Sequence, residues 1–240
     1  MIFKQVYNIG LEDVGIDGKA LNRTILAIME DVAGLHSSSV GYGLMDIDGS
    51  KGAWVLLNWH VKIIKRPVYK DKVVCHTWSR GADRLYALRD FELYSETGEL
   101  LAAGASRWIM MNLEKRRPVR IDEELVSIYK PELDRHVFNE DIKDITAVAS
   151  ADYTQDYHIM RRDMDINGHV HNLSYLDGAY EVLPIEVYKT KEFNEIRISY
   201  KKEIRPEDKV RASYKAISKD CCQVVFASDS KINAVVQLEV

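Results

Sequence analysis

The sequence KRPVYKDKVVCHTW at residues 65–78 decides the fold, because a shortened copy of it, IRPEDKVRASYK, recurs at residues 204–215. Aligning Asp-Lys-Val at 71–73 on Asp-Lys-Val at 208–210 places both copies inside a long alternating pattern, which is typical of strands. Self-similarity of this kind indicates an internal duplication. The alternative is that an α+β protein with basic surface strands carries the same short match twice, so the order of the other elements has to decide.

Each half of the chain shows the same order of a helix followed by strands. In the first half, a helix is predicted from apolar residues at helical spacing: Leu21, Ile25, Ile28, Met29 and Val32. In the second half, an apolar helical face runs from Val170 to Leu183 and stops before Pro184. Runs with strand character follow each helix, among them AWVLLNWHVKII at 53–64 and EIRISYKKEI at 195–204. The duplication is therefore favoured.

This organisation predicts an α+β protein of two tandem domains, each with a long helix wrapped by an antiparallel sheet. The N-terminal domain is expected over residues 1–130, a connecting segment over 131–150 and the C-terminal domain over 151–240. Since the segment between them is not of low complexity, we expect the two halves to pack as one body.

The composition excludes several functional classes. A formal net charge of -4 gives no broad positive surface for nucleic acid. No apolar run approaches the ~18 residues that span a bilayer, and the first residues lack the pattern of a secretory signal. Cys75, Cys221 and Cys222 fit neither a disulfide framework nor a metal site. We therefore expect a cytoplasmic protein without metal, cofactor, nucleic-acid partner or membrane insertion; monomer and homodimer remain open.

The densest polar cluster is RRDMDINGHVHN at residues 161–172, where a strand gives way to the second helix. Asp165, Asn167 and His169 alternate, so an extended approach would point all three side chains the same way. An amide can orient substrate, an imidazole can exchange protons near neutral pH, and a carboxylate can fix the imidazole tautomer. Helix capping, the alternative, explains only one or two of these residues. The spacing therefore predicts an active site.

With these stretches identified, the sequence resembles the acyl-ACP thioesterases of plants and bacteria, whose fold is a tandem pair of hot-dog domains. The likeness rests on four stretches in the family's order, spanning about residues 20 to 215: 54–78, 106–121, 161–184 and 198–210. The resemblance implies an intramolecular double hot-dog that hydrolyses fatty acyl-ACP to free fatty acid and holo-ACP in fatty acid biosynthesis.

The resemblance also implies roles for particular residues. The family's Asp-x-Asn-x-His pattern falls on Asp165, Asn167 and His169, and its strand glutamate falls on Glu203. Taken alone, Glu203 could equally be a solvated carboxylate among basic neighbours. Ile204 stands where many members carry a cysteine, so a Cys-His mechanism is not available here. We expect Glu203 and His169 to activate a water, Asn167 to position it and Asp165 to orient the network, with direct carboxylate attack left open.

Substrate contacts are implied less directly. The acyl chain is expected in the first half, and the candidate contacts are Met29, Val32, Trp54, Leu56, Trp59 and Asn172, with core packing as the alternative for the apolar ones. A basic patch should receive the acidic carrier protein. The candidates for this patch are Lys115, Arg116, Arg117, Lys201, Lys202 and Arg205.

Three other functions share parts of this pattern. An acyl-CoA thioesterase would have the same fold and chemistry. A hot-dog hydratase would need a proline and one more residue between Asn167 and His169. A non-enzymatic acyl-binding regulator would need an output module, and no helix-turn-helix is visible. Acyl chain length is not readable from the sequence, because the depth of a pocket depends on side-chain directions.

Overall fold

The computed structural model describes residues 1–46 and 52–240. The chain divides into two compact units, Met1–Ile142 and Lys143–Val240. Residues 131–150 contain neither helix nor strand and are shared between the two units. The three-part division at residues 130 and 150 stays a prediction. Among the described residues, no helix has both the length and the apolar character needed to cross a lipid bilayer.

The first unit is an antiparallel sheet packed against one long helix, α1. In the sheet, the strands lie in the order β1-β3-β4-β5-β2, and the short β6 pairs with β5. The elements are β1 (Phe3–Asn8), α1 (Asn22–Ser39), β2 (Ala53–Ile63), β3 (Lys72–Asp83), β4 (Tyr86–Ser95), β5 (Leu100–Asn112), β6 (Arg117–Val119) and α2 (Glu123–Ile128).

A glycine on β5 lets the first helix approach the sheet. A Cβ at Gly104 would lie 2.7 Å from Sδ of Met29, and Met29 is fully buried on α1. Ile25, Leu26 and Val32 share this buried face of the helix. The core of the first unit therefore lies between α1 and the face of the sheet at Gly104, because close packing requires small residues where two elements touch.

The second unit repeats the plan with shorter elements. Its antiparallel strands lie in the order β8-β11-β10-β9-β7. The elements are β7 (Tyr153–Tyr157), α3 (Asn172–Val182), α4 (Ile185–Thr190), β8 (Glu195–Tyr200), β9 (Val210–Ala216), β10 (Cys221–Ser228) and β11 (Lys231–Glu239). The predicted order of helix and strands in each half is confirmed. The second helix begins two residues later than its apolar pattern indicated, because the residues before Asn172 form a turn and a cap.

Candidate active site

The polar cluster that precedes α3 is folded into a tight turn rather than an extended strand. An isolated bridge joins Met164 to Val170, and the N–H of Asp165 donates to the carbonyl of His169 at 2.8 Å. Gly168 has φ +74°, a left-handed conformation that favours glycine. The prediction of an extended approach with three side chains on one side is therefore wrong. The turn brings the polar residues together by reversing the chain.

The carboxylate of Asp165 holds this turn closed. Its Oδ1 accepts the N–H groups of Asn167 at 2.8 Å and of His169 at 3.2 Å. Its Oδ2 accepts the side-chain amide of Asn167 at 3.3 Å. Asp165 therefore fixes the backbone that carries the imidazole, whereas the sequence pattern suggested a bond to the imidazole itself.

The imidazole of His169 meets the carboxylate of Glu203, which lies three residues beyond the end of strand β8. Nε2 of His169 lies 3.1 Å from Oε2 of Glu203, and the two side chains are 28% and 33% exposed. With Glu203 ionised, Nε2 is the donor of this hydrogen bond, because an ionised carboxylate only accepts. The pair is half-buried, so solvent can reach it. A proton acceptor and an imidazole therefore share one accessible site.

The backbone around Glu203 is anchored to strand β11. The N–H groups of Lys201 and Lys202 donate to the carbonyl of Asn233 at 2.8 and 3.1 Å. The buried side chain of Asn233 donates back to the carbonyls of Lys202 at 3.4 Å and Glu203 at 3.3 Å. The chain leaves the sheet here with its backbone groups bonded, which gives Glu203 a defined place.

The residue after the glutamate ties this segment to the turn and to α3. The N–H of Ile204 donates to the hydroxyl of Tyr175, on α3, at 3.2 Å. The carbonyl of Ile204 accepts the N–H of Val170 at 2.9 Å, directly after the turn. Glu203 and His169 are thus positioned by one connected set of hydrogen bonds.

Arg205 contacts the glutamate from its other side. Its Nη2 and Nε lie 2.8 and 3.2 Å from Oε1 of Glu203. These hydrogen bonds to the carboxylate raise the pKa of Arg205 above its usual value. The sequence suggested Arg205 only as a docking residue. Arg205 lies two residues after Glu203, and on an extended segment this spacing places both side chains on the same side.

The first turn of α3 is capped by an unexpected residue. Nδ1 of His171 accepts the N–H of Leu173 at 3.3 Å, so His171 and not Asp165 or Asn167 is the N-cap. Asn172 is the first helical residue, and its carbonyl accepts the hydroxyl of Tyr200 at 3.0 Å. The N-terminus of α3 carries the partial positive charge of a helix dipole directly after the polar turn.

Two family models cover most of the chain. The acyl-ACP thioesterase N-terminal domain matches residues 1–129, and the acyl-ACP thioesterase C-terminal domain matches residues 146–236. The chain belongs to the acyl-ACP thioesterase family. Within the family, it is 28% identical over 225 residues to the chloroplastic oleoyl-acyl carrier protein thioesterase 2 of Arabidopsis thaliana, an alignment covering 86% of this chain and 60% of that protein.

A second relative is the chloroplastic dodecanoyl-[acyl-carrier-protein] hydrolase of Cinnamomum camphora, 27% identical over 85% of this chain and 56% of that protein. The chain thus spans about three fifths of the length of these curated relatives.

Solved structures show that the fold is that of acyl-ACP thioesterases. The 12:0-ACP thioesterase of Umbellularia californica superposes with a TM-score of 0.87 at 22% identity, over 99% of this chain and 96% of that one. An acyl-ACP thioesterase of Bacteroides thetaiotaomicron VPI-5482 gives a TM-score of 0.87 at 20% identity, over 99% and 97% of the two chains. The prediction of an α+β fold with tandem hot-dog domains is confirmed.

The candidate acyl-chain contacts that the sequence suggested lie mostly inside the first unit. Met29 and Val32 are fully buried on α1, and Leu56 and Trp59 are almost fully buried on β2. Trp54 is half-buried, and its Nε1 donates to the hydroxyl of Tyr129 at 2.9 Å. The sixth candidate, Asn172, lies in the second unit at the start of α3. Their roles in binding stay predictions.

The predicted docking residues are distributed over both units. Arg116 and Arg117 lie at the exposed start of β6, in the first unit. In the second unit, Lys201 is paired with Asp144, Arg205 with Glu203, and Lys202 is exposed. Lys115 is also exposed in the first unit, and of the six candidates Lys201 and Arg205 therefore already have a carboxylate partner within their own unit.

A buried polar cluster in the first unit was not predicted. The guanidinium of Arg89, on β4, donates to Nδ1 of His36 at 2.8 Å and to the hydroxyl of Thr77 at 3.2 Å. Burial lowers the pKa of His36 to about 3 and that of Arg89 to about 10. The sequence contained one signal of this cluster. Arg89 and Phe91 are two residues apart on β4, so both side chains point to the buried side of the sheet, which is an unusual position for a charge.

The turn before α3 has a counterpart before α1 that the sequence analysis missed. Residues 13–22 read DVGIDGKALN, and residues 163–172, 150 positions later, read DMDINGHVHN. Both segments form the same turn, with a bridge across it and a glycine in the left-handed conformation: Gly18 has φ +73° and Gly168 has φ +74°. Each unit therefore carries one copy of the turn.

The two copies differ in the side chains that could take part in acid-base chemistry. Gly15 and Lys19 occupy the positions of Asp165 and His169. The N–H of Gly15 donates to the carbonyl of Lys19 at 2.9 Å, which reproduces the bond across the other turn. The backbone of the turn is thus the same in both units, while a carboxylate and an imidazole occur at these two positions only in the second.

Among the described residues, no group of three or more His, Cys, Asp or Glu side chains is arranged to hold a metal ion.

Proposed function

We propose that this protein hydrolyses fatty acyl thioesters of acyl carrier protein, releasing free fatty acid and holo-ACP, in fatty acid biosynthesis. The observation that carries the proposal is the pair formed by His169 and Glu203, whose Nε2 and Oε2 atoms are 3.1 Å apart at an accessible site. Family membership supports the substrate class, because the relatives are named as thioesterases or hydrolases of acyl carrier protein.

In the proposed reaction, the carboxylate of Glu203 and the imidazole of His169 act on a water molecule. The pair accepts a proton as the water oxygen attacks the thioester carbonyl carbon. The C–S bond then breaks, and the pair returns the proton to the leaving thiolate, so acid and base roles alternate on the same two groups. Asn167, exposed on the turn, can orient the substrate or the water. Positioned donors near the developing oxyanion would contribute about 10²–10³ in rate each.

A cysteine nucleophile is not supported by the thiols of the chain. The position after Glu203 is Ile204, which is fully buried and whose backbone is bonded on both sides. Burial raises the pKa of Cys75 and of Cys221 and raises that of Cys222 to about 12, so none of the three forms a thiolate near neutral pH. Hydrolysis assisted by carboxylate and imidazole is therefore the mechanism that the described residues support.

The test is hydrolysis of a panel of acyl-ACP thioesters of different chain lengths, with the matching acyl-CoA thioesters run in parallel. Glu203→Gln removes the basic oxygen at nearly constant volume, and we expect turnover to fall about 10²–10⁴-fold. Glu207→Gln, the same change at an exposed glutamate four residues away, is the matched control.

Near-normal turnover in Glu203→Gln, with the control also active, would remove the carboxylate from the chemistry. A wild-type protein that binds acyl-ACP without releasing fatty acid would favour the acyl-binding regulator, and a preference for acyl-CoA would favour the related thioesterase class.

The proposal also covers the cellular location of the reaction, the docking of the carrier protein and the role of each half of the chain. We place the reaction in the cytoplasm, although the plant relatives are named as chloroplastic proteins, and cell fractionation decides between locations. The acidic carrier protein would meet exposed cations such as Arg117 and Lys202. Residues 1–130 would hold the acyl chain, and residues 151–240 would carry the catalytic groups.

A further inference from the structure

The two oxygens of the Glu203 carboxylate have different partners. Oε2 faces Nε2 of His169 at 3.1 Å. Oε1 receives two N–H groups of one guanidinium, from Nη2 of Arg205 at 2.8 Å and from Nε at 3.2 Å. Charge-assisted bonds of this kind are stronger and more directional than neutral ones. The rotation of the carboxylate is thereby constrained from the side opposite the imidazole.

Arg205 is itself held by the turn that follows it. The N–H of Asp208 donates to the carbonyl of Arg205 at 3.0 Å, and the N–H of Arg205 donates to Oδ2 of Asp208 at 3.0 Å. Pro206 occupies the second position of this four-residue turn, where its fixed φ is favourable. The backbone from which the guanidinium extends is therefore defined by the local sequence Arg-Pro-Glu-Asp.

The ion pair is too exposed to serve mainly as a stabilising contact. The side chains of Arg205 and Glu203 are 43% and 33% exposed. Pairs in such positions contribute little to folding, because water and salt screen the charges and two side chains lose rotamer freedom. A role in the geometry of the site explains the doubled contact to one oxygen better than a role in stability.

We propose that Arg205 is a positioning residue that binds Oε1 of Glu203 and so assigns Oε2 as the oxygen that acts with His169. This inference rests on the proposed hydrolase function and deepens it. The guanidinium holds the carboxylate in one rotamer, so Oε2 meets the imidazole and the attacking water in each turnover. Arg205 acts through Glu203 and does not touch the substrate.

The rival role for Arg205 is that of a docking cation for the carrier protein, as the sequence suggested. The two roles differ in what they change. A docking cation contributes to binding of the carrier and therefore to KM for acyl-ACP alone. A positioning residue changes kcat for every thioester, including one too small to contact a docking surface.

The experiment measures kcat and KM of Arg205→Gln and Arg205→Lys with acyl-ACP and with an acyl N-acetylcysteamine thioester, which has no carrier. We expect Arg205→Gln to lower kcat about 10- to 100-fold with both substrates, since an ångström of misplacement costs about 10²-fold. Arg205→Lys should recover part of the loss, because it restores the charge but not the two-nitrogen contact. Lys209→Gln, an exposed cation removed four residues away, is the matched control.

Each outcome decides the inference. Loss of kcat with both substrates, partial recovery with lysine and an unchanged melting temperature support it. A kcat within twofold of wild type in Arg205→Gln, or a change confined to KM for acyl-ACP, overturns it while leaving the hydrolase function intact. A wild-type protein that hydrolyses neither substrate overturns the hydrolase function, and the role of Arg205 falls with it.

Discussion

Replacing Tyr175 with phenylalanine removes one hydroxyl from the interior of the second unit. Tyr175 lies on α3 and is 3% exposed, and its hydroxyl accepts the N–H of Ile204 at 3.2 Å. That N–H belongs to the peptide bond that follows Glu203. The substitution keeps the aromatic ring, which packs edge-on against Phe226, and deletes only the acceptor.

The expected cost follows from the burial of the N–H group. Ile204 is fully buried, so water cannot replace the lost acceptor, and an unsatisfied buried group costs about 1–3 kcal/mol. For a protein of this size, each kcal/mol lowers Tm by about 2–4 °C. The carbonyl of Ile204 keeps its bond to Val170, so the segment should shift without unfolding. A shift of Glu203 relative to His169 should lower kcat by up to about 10²-fold.

The assay pairs calorimetry with acyl-ACP hydrolysis. Tyr153→Phe is the matched control, because it deletes a hydroxyl from a partly exposed tyrosine on β7 whose ring stacks on Tyr214. We expect the control to keep both its Tm and its turnover. If Tyr175→Phe matched the control in both measurements, the hydrogen bond to Ile204 would have no part in placing the glutamate, and the account of the site would be wrong.

Two further predictions concern packing and pH. Gly178→Ala should lower the free energy of unfolding by about 1–2 kcal/mol, and Tm with it. The new Cβ would lie 2.7 Å from the ring of Tyr157, and this overpacking outweighs the better helix propensity of alanine. Gly34→Ala on α1, where no atom lies within 4 Å of the new Cβ, should instead raise Tm, because alanine favours the helix and raises the free energy of unfolding by about 0.5–1 kcal/mol. His36 has its pKa lowered to about 3, against about 6.5 unfolded, so the unfolded chain binds more protons between these values. Stability should therefore fall as pH drops below 6.5, by up to about 1.4 kcal/mol per pH unit, and urea unfolding at pH 7.5 and 5 should show a smaller loss in His36→Gln.

The sequence was sufficient to find the polar turn but not its conformation. Asp165, Asn167 and His169 were selected by their alternation, which holds only for an extended chain. The Asn-Gly dipeptide at residues 167–168 is itself a turn signal. Giving that signal precedence would have predicted a reversal of the chain, with Asp165 bonded to backbone N–H groups.

Other contacts were beyond sequence reasoning because they join distant positions. His36 and Arg89 are 53 residues apart and belong to different elements, so no local period relates them. The pairing of Glu203 with His169 across 34 residues could be expected only through the family resemblance, since Glu203 alone reads as one charge among basic neighbours. Local patterns predict elements, whereas side-chain partners depend on the register of strands and on rotamers.

The two copies of the turn separate what the backbone requires from what the chemistry requires. The first copy closes with Gly15 at its start, and Oδ1 of Asp17 accepts the N–H of Lys19 at 3.1 Å. In the second copy, the backbone bond across the turn is the same, and the carboxylate that accepts the N–H of His169 comes from Asp165. A carboxylate bonded to this N–H is therefore part of the turn in both units, whereas the imidazole, at the position that Lys19 occupies in the first copy, is needed by the proposed chemistry and not by the turn.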